Sequence, residues 1–145
     1  MGALVHVHSG LRWLALALLL FAIVNAILKR KSGKYEKGDK MLNLFAMVML
    51  HIQILVGTIL AFVTGKISYV EGWMKNPQLR FFGLEHILLM VIAVTLITIG
   101  RKKAEKALDP AKKHKTILIW YTIVLIIIFA AIPWPFRTAL GGSWF

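Results

Sequence analysis

Residues 13–28 read WLALALLLFAIVNAIL, a stretch without a charged side chain. Three further apolar stretches follow at residues 41–65, 81–100 and 116–136. Glu85 is the one Asp, Glu, Lys or Arg residue in them. A helix needs about 20 apolar residues to cross roughly 30 Å of hydrocarbon. The pattern therefore predicts an all-α protein whose four transmembrane helices lie at about residues 4–28, 41–64, 79–100 and 116–132.

Composition predicts that residues 1–145 form a single transmembrane domain. Hydrophobic residues make up 59% of the chain, whereas soluble domains usually have about 45–50%. Four apolar stretches leave almost no chain for a separate soluble domain. Short connections between successive helices favour antiparallel neighbours, so we expect an up-down-up-down four-helix bundle.

The net charge of +12 is concentrated in two connections. Residues 29–40 and 101–115 hold 13 of the 18 Lys and Arg residues, and residues 66–80 hold three. The positive-inside rule places such basic loops in the cytoplasm, which predicts an N-out, C-out orientation. The charge then serves orientation and contact with anionic lipid in the bilayer, and we do not expect a nucleic-acid partner.

The chain contains no cysteine. This excludes disulfides, thiolate chemistry, c-type haem attachment and clusters held by cysteine. The N-terminal segment has no basic region before its apolar core, so it is predicted to be a retained helix and not a cleaved signal peptide.

Ionisable side chains within the predicted helices indicate where function lies, because burying them in lipid is costly. They are His6, His8, Arg12, His51, Glu85 and His86. From the rise of a helix, His8 and His86 both lie roughly 6–10 Å below the outer boundary. His51 lies roughly 20 Å down, near the middle of the membrane.

His8 and His86 are therefore the candidate axial ligands of one haem b. The first and third helices are diagonal in a simple four-helix bundle, so imidazoles at one level face each other across its core. Haem iron accepts neutral imidazole. Small residues on the two ligand faces would leave room for a flat macrocycle; they are Ala15, Ala22, Ala26, Gly83 and Ala93. The alternative is that small residues simply allow close helix packing.

Four charged residues are candidates for contact with the haem. Arg12 lies one turn below His8 and is a partner for a haem propionate or for Glu85. Glu85 is a candidate acceptor that orients an imidazole. Arg80 and Arg137 lie near the outer boundary, where they would hold propionates or extend to the interface.

The remaining histidines have less specific interpretations. His6 is expected to be an interfacial side chain. His114, in a Lys-His-Lys sequence, is expected to be a solvated loop residue. His51 has three open interpretations: a hydrogen bond between helices, near Gln53, Trp120 or Tyr121; a ligand of a second haem; or a role in quinone or proton handling.

Two stretches resemble haem-binding helices. HSGLRWLA at residues 8–15 looks like the start of a haem-ligating helix, and QILVGTILAFVTG at residues 53–65 resembles a helix in one half of haem A synthase. Glu85-His86 falls where that half places its second histidine. The chain is also similar to small bacterial four-helix membrane proteins labelled cytochrome B, which share PWPFR at residues 133–137 and the final Trp-Phe. The resemblance implies His8 and His86 as haem ligands and a bacterial inner-membrane location.

The leading functional expectation is a membrane-bound b-type cytochrome that transfers electrons. It would act as a small subunit or partner of a respiratory or quinone-linked system, or exchange electrons with a periplasmic carrier. One alternative is an oxidoreductase that acts on quinone or on haem. Another is an assembly or packing subunit without haem. A copper or zinc site made from His6, His8, Glu85 and His86 is the fourth hypothesis.

Overall fold

The computed structural model describes residues 2–65, 67–142 and 144. Lys66, counted in the charge of its loop, and Phe145, part of the resemblance at the chain end, lie outside the described residues. The described residues form helices and turns, with no strand among them. The four long helices are α1 (Gly2–Lys29), α2 (Lys37–Thr64), α3 (Pro77–Lys106) and α4 (Pro110–Ala131).

All four helices are long and apolar enough to cross a membrane. Their outward faces expose large apolar side chains, among them Phe62 at 78%, Leu28 at 75% and Ile126 at 64%. Soluble proteins rarely expose contiguous apolar patches of this kind, whereas hydrocarbon solvates them. The chain is therefore a multi-pass membrane protein whose helices contact lipid.

The helices pack as a four-helix bundle. Both α1 and α3 pack against α2 and against α4, so α1 and α3 lie on one diagonal and α2 and α4 on the other. The expected up-down-up-down bundle is confirmed. Residues 30–36 and 107–109 connect helices at one end, called here the basic end. Gly2, Trp144 and residues 67–76 lie at the opposite end, called here the terminal end.

Small residues bring the helices close together. Ala15, Ala22 and Ala26 of α1 and Ala93 of α3 are all at most 3% exposed within the apolar core. Close backbone approach through such residues is the usual means of packing membrane helices. These four alanines therefore pack the helices together, as the alternative interpretation of the small residues expected.

The helices extend further at the basic end than the sequence predicted. α4 was expected to begin near residue 116, yet it begins at Pro110, with Asp109 as its N-cap accepting from the backbone N–H of Ala111 and Lys112. Asp before Pro is a strong helix start, since proline lacks an N–H that the first turn would leave unpaired anyway. Hydropathy missed these turns because they are polar and project beyond the hydrocarbon.

The expectation that His114 is a solvated loop residue was wrong. His114 lies in α4 and is 1% exposed, with Nε2 2.9 Å from the carbonyl oxygen of Lys34. Its ring packs against Tyr35, whose hydroxyl donates to Glu105 at 2.9 Å and accepts from Asn43 at 3.0 Å. His114 therefore ties the first basic loop to α4.

The terminal end carries α3's one departure from α-helical geometry. Residues Phe81–Glu85 form a π-helical segment between the first turn of α3 and the helix that begins at His86. Such π-helical turns widen a helix by one residue and occur frequently at functional sites. His86 follows this segment directly, with regular α-helical backbone angles.

Candidate functional site

The structure brings His8 and His86 together inside the terminal end of the bundle. Their ring centroids are 6.5 Å apart and the ring planes are inclined by 71°. Both side chains are partly buried. The depth argument and the diagonal placement of α1 and α3 thus predicted a real juxtaposition, although neither argument could supply the orientation of the rings.

One nitrogen of His86 is committed to a backbone carbonyl. Its Nδ1 lies 2.7 Å from the carbonyl oxygen of Ala131, at the last residue of α4. A carbonyl oxygen only accepts hydrogen bonds, so Nδ1 carries the proton and the lone pair of the neutral ring is on Nε2. Histidines that bind metals usually have this arrangement, in which a second contact fixes the tautomer.

The Pro-Trp-Pro sequence explains why the Ala131 carbonyl is available. In a continuing helix, the carbonyls of Phe129 and Ala131 would accept from the N–H groups of residues 133 and 135. Both positions are proline, which has no N–H. Side-chain donors replace the missing N–H groups. The Phe129 carbonyl accepts from Trp134 Nε1 at 2.9 Å, and the Ala131 carbonyl accepts from His86 Nδ1 at 2.7 Å.

His8 is held by α2. Gln53 donates from Nε2 to the backbone carbonyl of His8 at 2.8 Å, and the same nitrogen is 3.4 Å from His8 Nε2. The His8 ring lies over Gly57, where an added Cβ would stand 2.9 Å from Cε1. The missing side chain of Gly57 therefore leaves a cradle for the imidazole. Any larger residue at position 57 would fill that space.

Three buried polar atoms near the histidine pair have no hydrogen-bond partner: His8 Nδ1, Gln53 Oε1 and Arg12 Nε. Unpaired buried polar atoms are rare in native proteins, because each costs free energy comparable to a lost hydrogen bond. Three further such atoms, on Asn43, Arg101 and His114, lie at the basic end. At the histidine pair, the three unpartnered atoms leave capacity for a further polar or charged group.

The charged candidates have partners that the sequence did not reveal. Glu85 accepts from Arg80 Nε at 2.7 Å, so it pairs with Arg80 and not with Arg12, and it does not orient an imidazole. Arg12 donates to the Trp144 carbonyl at 2.6 Å, which ties the C-terminal segment to α1.

Arg137 lies at the same end of the bundle. It donates to the carbonyl of Ala130 at 3.1 Å, and its guanidinium stands 4.8 Å from the centre of the Phe81 ring. Phe81 in turn packs on the His86 ring at 5.8 Å. The guanidinium therefore approaches the histidine pair through one intervening aromatic ring.

His51 and His6, the other histidines of the membrane helices, make no recorded contact with His8 or His86. His51 Nδ1 is 2.8 Å from the Met47 carbonyl, and its Nε2 is 3.3 Å from Thr98 Oγ1 on α3. Of its three interpretations, the structure contains the hydrogen bond between helices, with Thr98 as the partner in place of Gln53, Trp120 or Tyr121. His6 is exposed on α1.

The donor set fits haem better than a bare metal ion. Since an imidazole nitrogen lies about 2 Å from a ligated metal, two rings on opposite sides of one ion have centroids about 6 Å apart, close to the observed 6.5 Å. A zinc ion takes three or four protein ligands, and among the described residues no three His, Cys, Asp or Glu side chains come together. Two neighbouring imidazoles without a third such ligand in the described residues would suit a group that brings its own metal donors, as haem does.

Three features of the site escaped the sequence: the Gln53 amide, the Gly57 cradle and the Ala131 carbonyl. A glycine and a glutamine one turn apart in an apolar helix give a weak signal for the first two. Pro133 and Pro135 were a signal for the free Ala131 carbonyl, because prolines after a helix leave preceding carbonyls without an N–H partner.

No family model matches the chain, and no curated protein or solved structure matches it either.

Proposed function

We propose that this chain is a membrane-bound b-type cytochrome, with His8 and His86 as the axial ligands of one haem b. The observation that carries the proposal is the close approach of the two imidazoles, with centroids 6.5 Å apart and ring planes inclined by 71°, together with the hydrogen bond from His86 Nδ1 to the Ala131 carbonyl. That commitment leaves the Nε2 lone pair of His86 for iron. The haem, when bound, supplies one-electron oxidation and reduction at its iron.

The chain's own residues position the ligands and balance charge. The Ala131 carbonyl fixes the tautomer and direction of His86, and Gln53 and Gly57 fix His8. Arg12 has an unpartnered Nε donor one turn from His8, which makes it the first candidate for holding a propionate. Arg80 would need to share its bond with Glu85 to do the same.

The proposal includes an N-out, C-out orientation in the bacterial inner membrane. It is supported by the 13 of 18 Lys and Arg residues in the two loops of the basic end. The histidine pair would then lie near the outer face. Electrons would pass most readily to a periplasmic carrier, to quinol at that boundary or to another subunit of a respiratory system.

A second haem on His51 is not part of the proposal. Both ring nitrogens of His51 already have oxygen partners, on Met47 and Thr98. One haem near the outer face would leave most of the membrane uncrossed, so transfer across the whole bilayer would require a further cofactor in a partner.

A packing subunit without haem is the second candidate, favoured by one observation. The bonds from His86 to Ala131 and from Gln53 to His8 join different helices, and such bonds stabilise membrane bundles by roughly 1 kcal/mol on their own. Under this alternative the histidines would serve only to hold the helices together.

Optical spectra of the protein purified from haem-replete cells, oxidised and then reduced with dithionite, separate the two candidates. We expect the sharp reduced bands of low-spin, six-coordinate haem. His86→Ala and the double variant His6→Ala with His8→Ala should each give five-coordinate haem or none. The His6 change blocks rescue by a shift of α1, and His6→Ala alone is the matched control that should keep the wild-type spectrum. Absence of haem from the wild-type protein, or wild-type spectra in the ligand variants, would contradict the proposal.

A further inference from the structure

The basic end of the bundle carries a groove far from the histidine pair. It lies between the end of α1 and the start of α4 and has a volume of about 830 Å³. Four of its lining side chains are cationic: Arg30, Lys31, Lys112 and Lys115. We propose that this groove binds the headgroup of an anionic phospholipid through its phosphodiester.

The groove has a net positive charge that nothing in the described structure neutralises. All four cationic side chains are exposed, and none has an ion pair among the described residues. The carboxylate in the lining is Asp109, whose oxygens accept the N–H groups that begin α4. Four cations and one carboxylate leave a formal charge of +3, which favours an anion.

The position of the groove favours a lipid over a soluble anion. Leu118 and Ile119 form its apolar side, where α4 passes into the hydrophobic span. A phosphodiester at the cations would therefore have its acyl chains directed along the lipid-facing surface. Basic pockets between helices at a membrane boundary commonly hold anionic headgroups in this way.

A second groove lies further along the same helix pair and offers an apolar surface to an acyl chain. It has a volume of about 300 Å³, begins at Leu20 and is lined also by Leu125 and Phe129. Leu20 is nine residues from Lys29, the last residue of α1, which is about 14 Å along the helix, and Lys31 lies in the turn just beyond. One leaflet, half of a ~30 Å hydrocarbon core, has about the same thickness. A lipid whose headgroup lies in the basic groove could therefore place its acyl chain against the apolar groove.

The proposal distinguishes these four cations from the rest of the basic end. Lys34, Lys37, Lys102 and Lys106 are also exposed and lie in the same two basic stretches, residues 29–40 and 101–115, but they do not line the groove. General attraction to an anionic surface would use both sets alike. A bound lipid would use the groove set alone, and this holds whether or not the protein binds haem.

Native mass spectrometry of the protein in detergent, with added phosphatidylglycerol or phosphatidylcholine, tests the proposal. We expect retained phosphatidylglycerol and little phosphatidylcholine. Changing Arg30, Lys31, Lys112 and Lys115 to Gln should weaken phosphatidylglycerol binding at least roughly tenfold. The control, Lys34, Lys37, Lys102 and Lys106 to Gln, removes the same charge and should stay within about twofold of wild type.

Three outcomes would overturn the proposal. Equal losses in the two quadruple variants would assign binding to general charge. Equal retention of the two lipids by the wild-type protein, a measurement that needs no variant, would remove the anion requirement. Inorganic phosphate that raises the unfolding temperature as much as phosphatidylglycerol would point to a soluble anion. Circular dichroism of both variants checks that the four helices are intact.

Discussion

Gly57 lies so close to His8 that a Cβ built on the glycine would stand 2.9 Å from Cε1 of the imidazole, well inside the ~3.5–4.0 Å of favourable contact between carbon atoms. Because Gly57 is on α2 and His8 on α1, the packing of these two helices determines where the imidazole can lie. The site therefore depends on a residue that carries no chemistry of its own.

Gly57→Ala should displace the His8 ring and weaken haem binding by roughly 10- to 100-fold, the range for residues that position metal ligands. Haem titration of the purified apoprotein measures the change. Gly10→Ala is the matched control, because a Cβ at Gly10 meets no atom within 4 Å and alanine is at least as good a helix former. Equal haem affinity in the two variants would contradict the role assigned to Gly57.

His51→Ala should keep the haem, because His51 bonds to Met47 and Thr98 and not to the histidine pair. Loss of the bond to Thr98 should lower the free energy of unfolding by about 1 kcal/mol. A double-mutant cycle with Thr98→Val isolates that contribution. A His51→Ala protein that folds and reaches the membrane but holds no haem would show that the ligand pairing is wrong and point to His51 with His86.

Asp39→Ala should destabilise the protein far more than Glu36→Gln. Asp39 is 2% exposed and accepts from Lys29 and Asn25 at 2.8 Å each. Glu36 also pairs with Lys29, but at 3.3 Å and with its side chain 63% exposed.

Removing one partner of a buried pair costs about 3–5 kcal/mol. The Lys29 ammonium, at 36% side-chain exposure, can still be hydrated, so about 2–3 kcal/mol is expected for Asp39→Ala. Glu36→Gln should cost less than about 1 kcal/mol, as exposed pairs do. Unfolding in mixed micelles measures both, and comparable losses would show that burial of Asp39 does not matter.

Tyr35 should make stability fall in alkaline solution. Burial raises the pKa of the Tyr35 phenol above its usual value. Since the folded-state pKa exceeds the unfolded value of about 10, its contribution is complete below pH 10 and is lost as the pH rises toward the folded-state pKa. The difference in unfolding free energy between wild type and Tyr35→Phe should be about 1 kcal/mol at pH 8 and should shrink above pH 10. A constant difference up to pH 11.5 would exclude this linkage.

The orientation can be tested directly because the chain has no cysteine of its own. Ser32→Cys lies at the basic end and Ser68→Cys at the terminal end. In intact cells, an impermeant thiol reagent should label Ser68→Cys and spare Ser32→Cys until the membrane is opened. The reverse pattern would mean that the basic loops face outward and that the histidine pair lies near the cytoplasm.

Much of the fold followed from the sequence, because hydrocarbon demands long apolar segments whose backbone bonds are all internal. The four helices were predicted within a few residues at their terminal-end boundaries. The errors lie at the basic end, where α2 and α4 begin four and six residues before the expected starts near 41 and 116. Hydropathy does not detect these helix starts, since polar turns outside the bilayer are stabilised by helix caps and by contacts between loops.

The level of the histidines was also a property of the sequence, because helical rise converts position along the chain into depth. Their orientation was not. It depends on the close approach of Gly57 and on the Ala131 carbonyl. Each of these is a relation between residues on different helices, and no linear pattern of side chains encodes it. The sequence by itself determined four membrane helices and two imidazoles at one depth. Only tertiary packing decided that the two rings would lie 6.5 Å apart with their planes inclined by 71°, because it decided which surfaces of the helices meet.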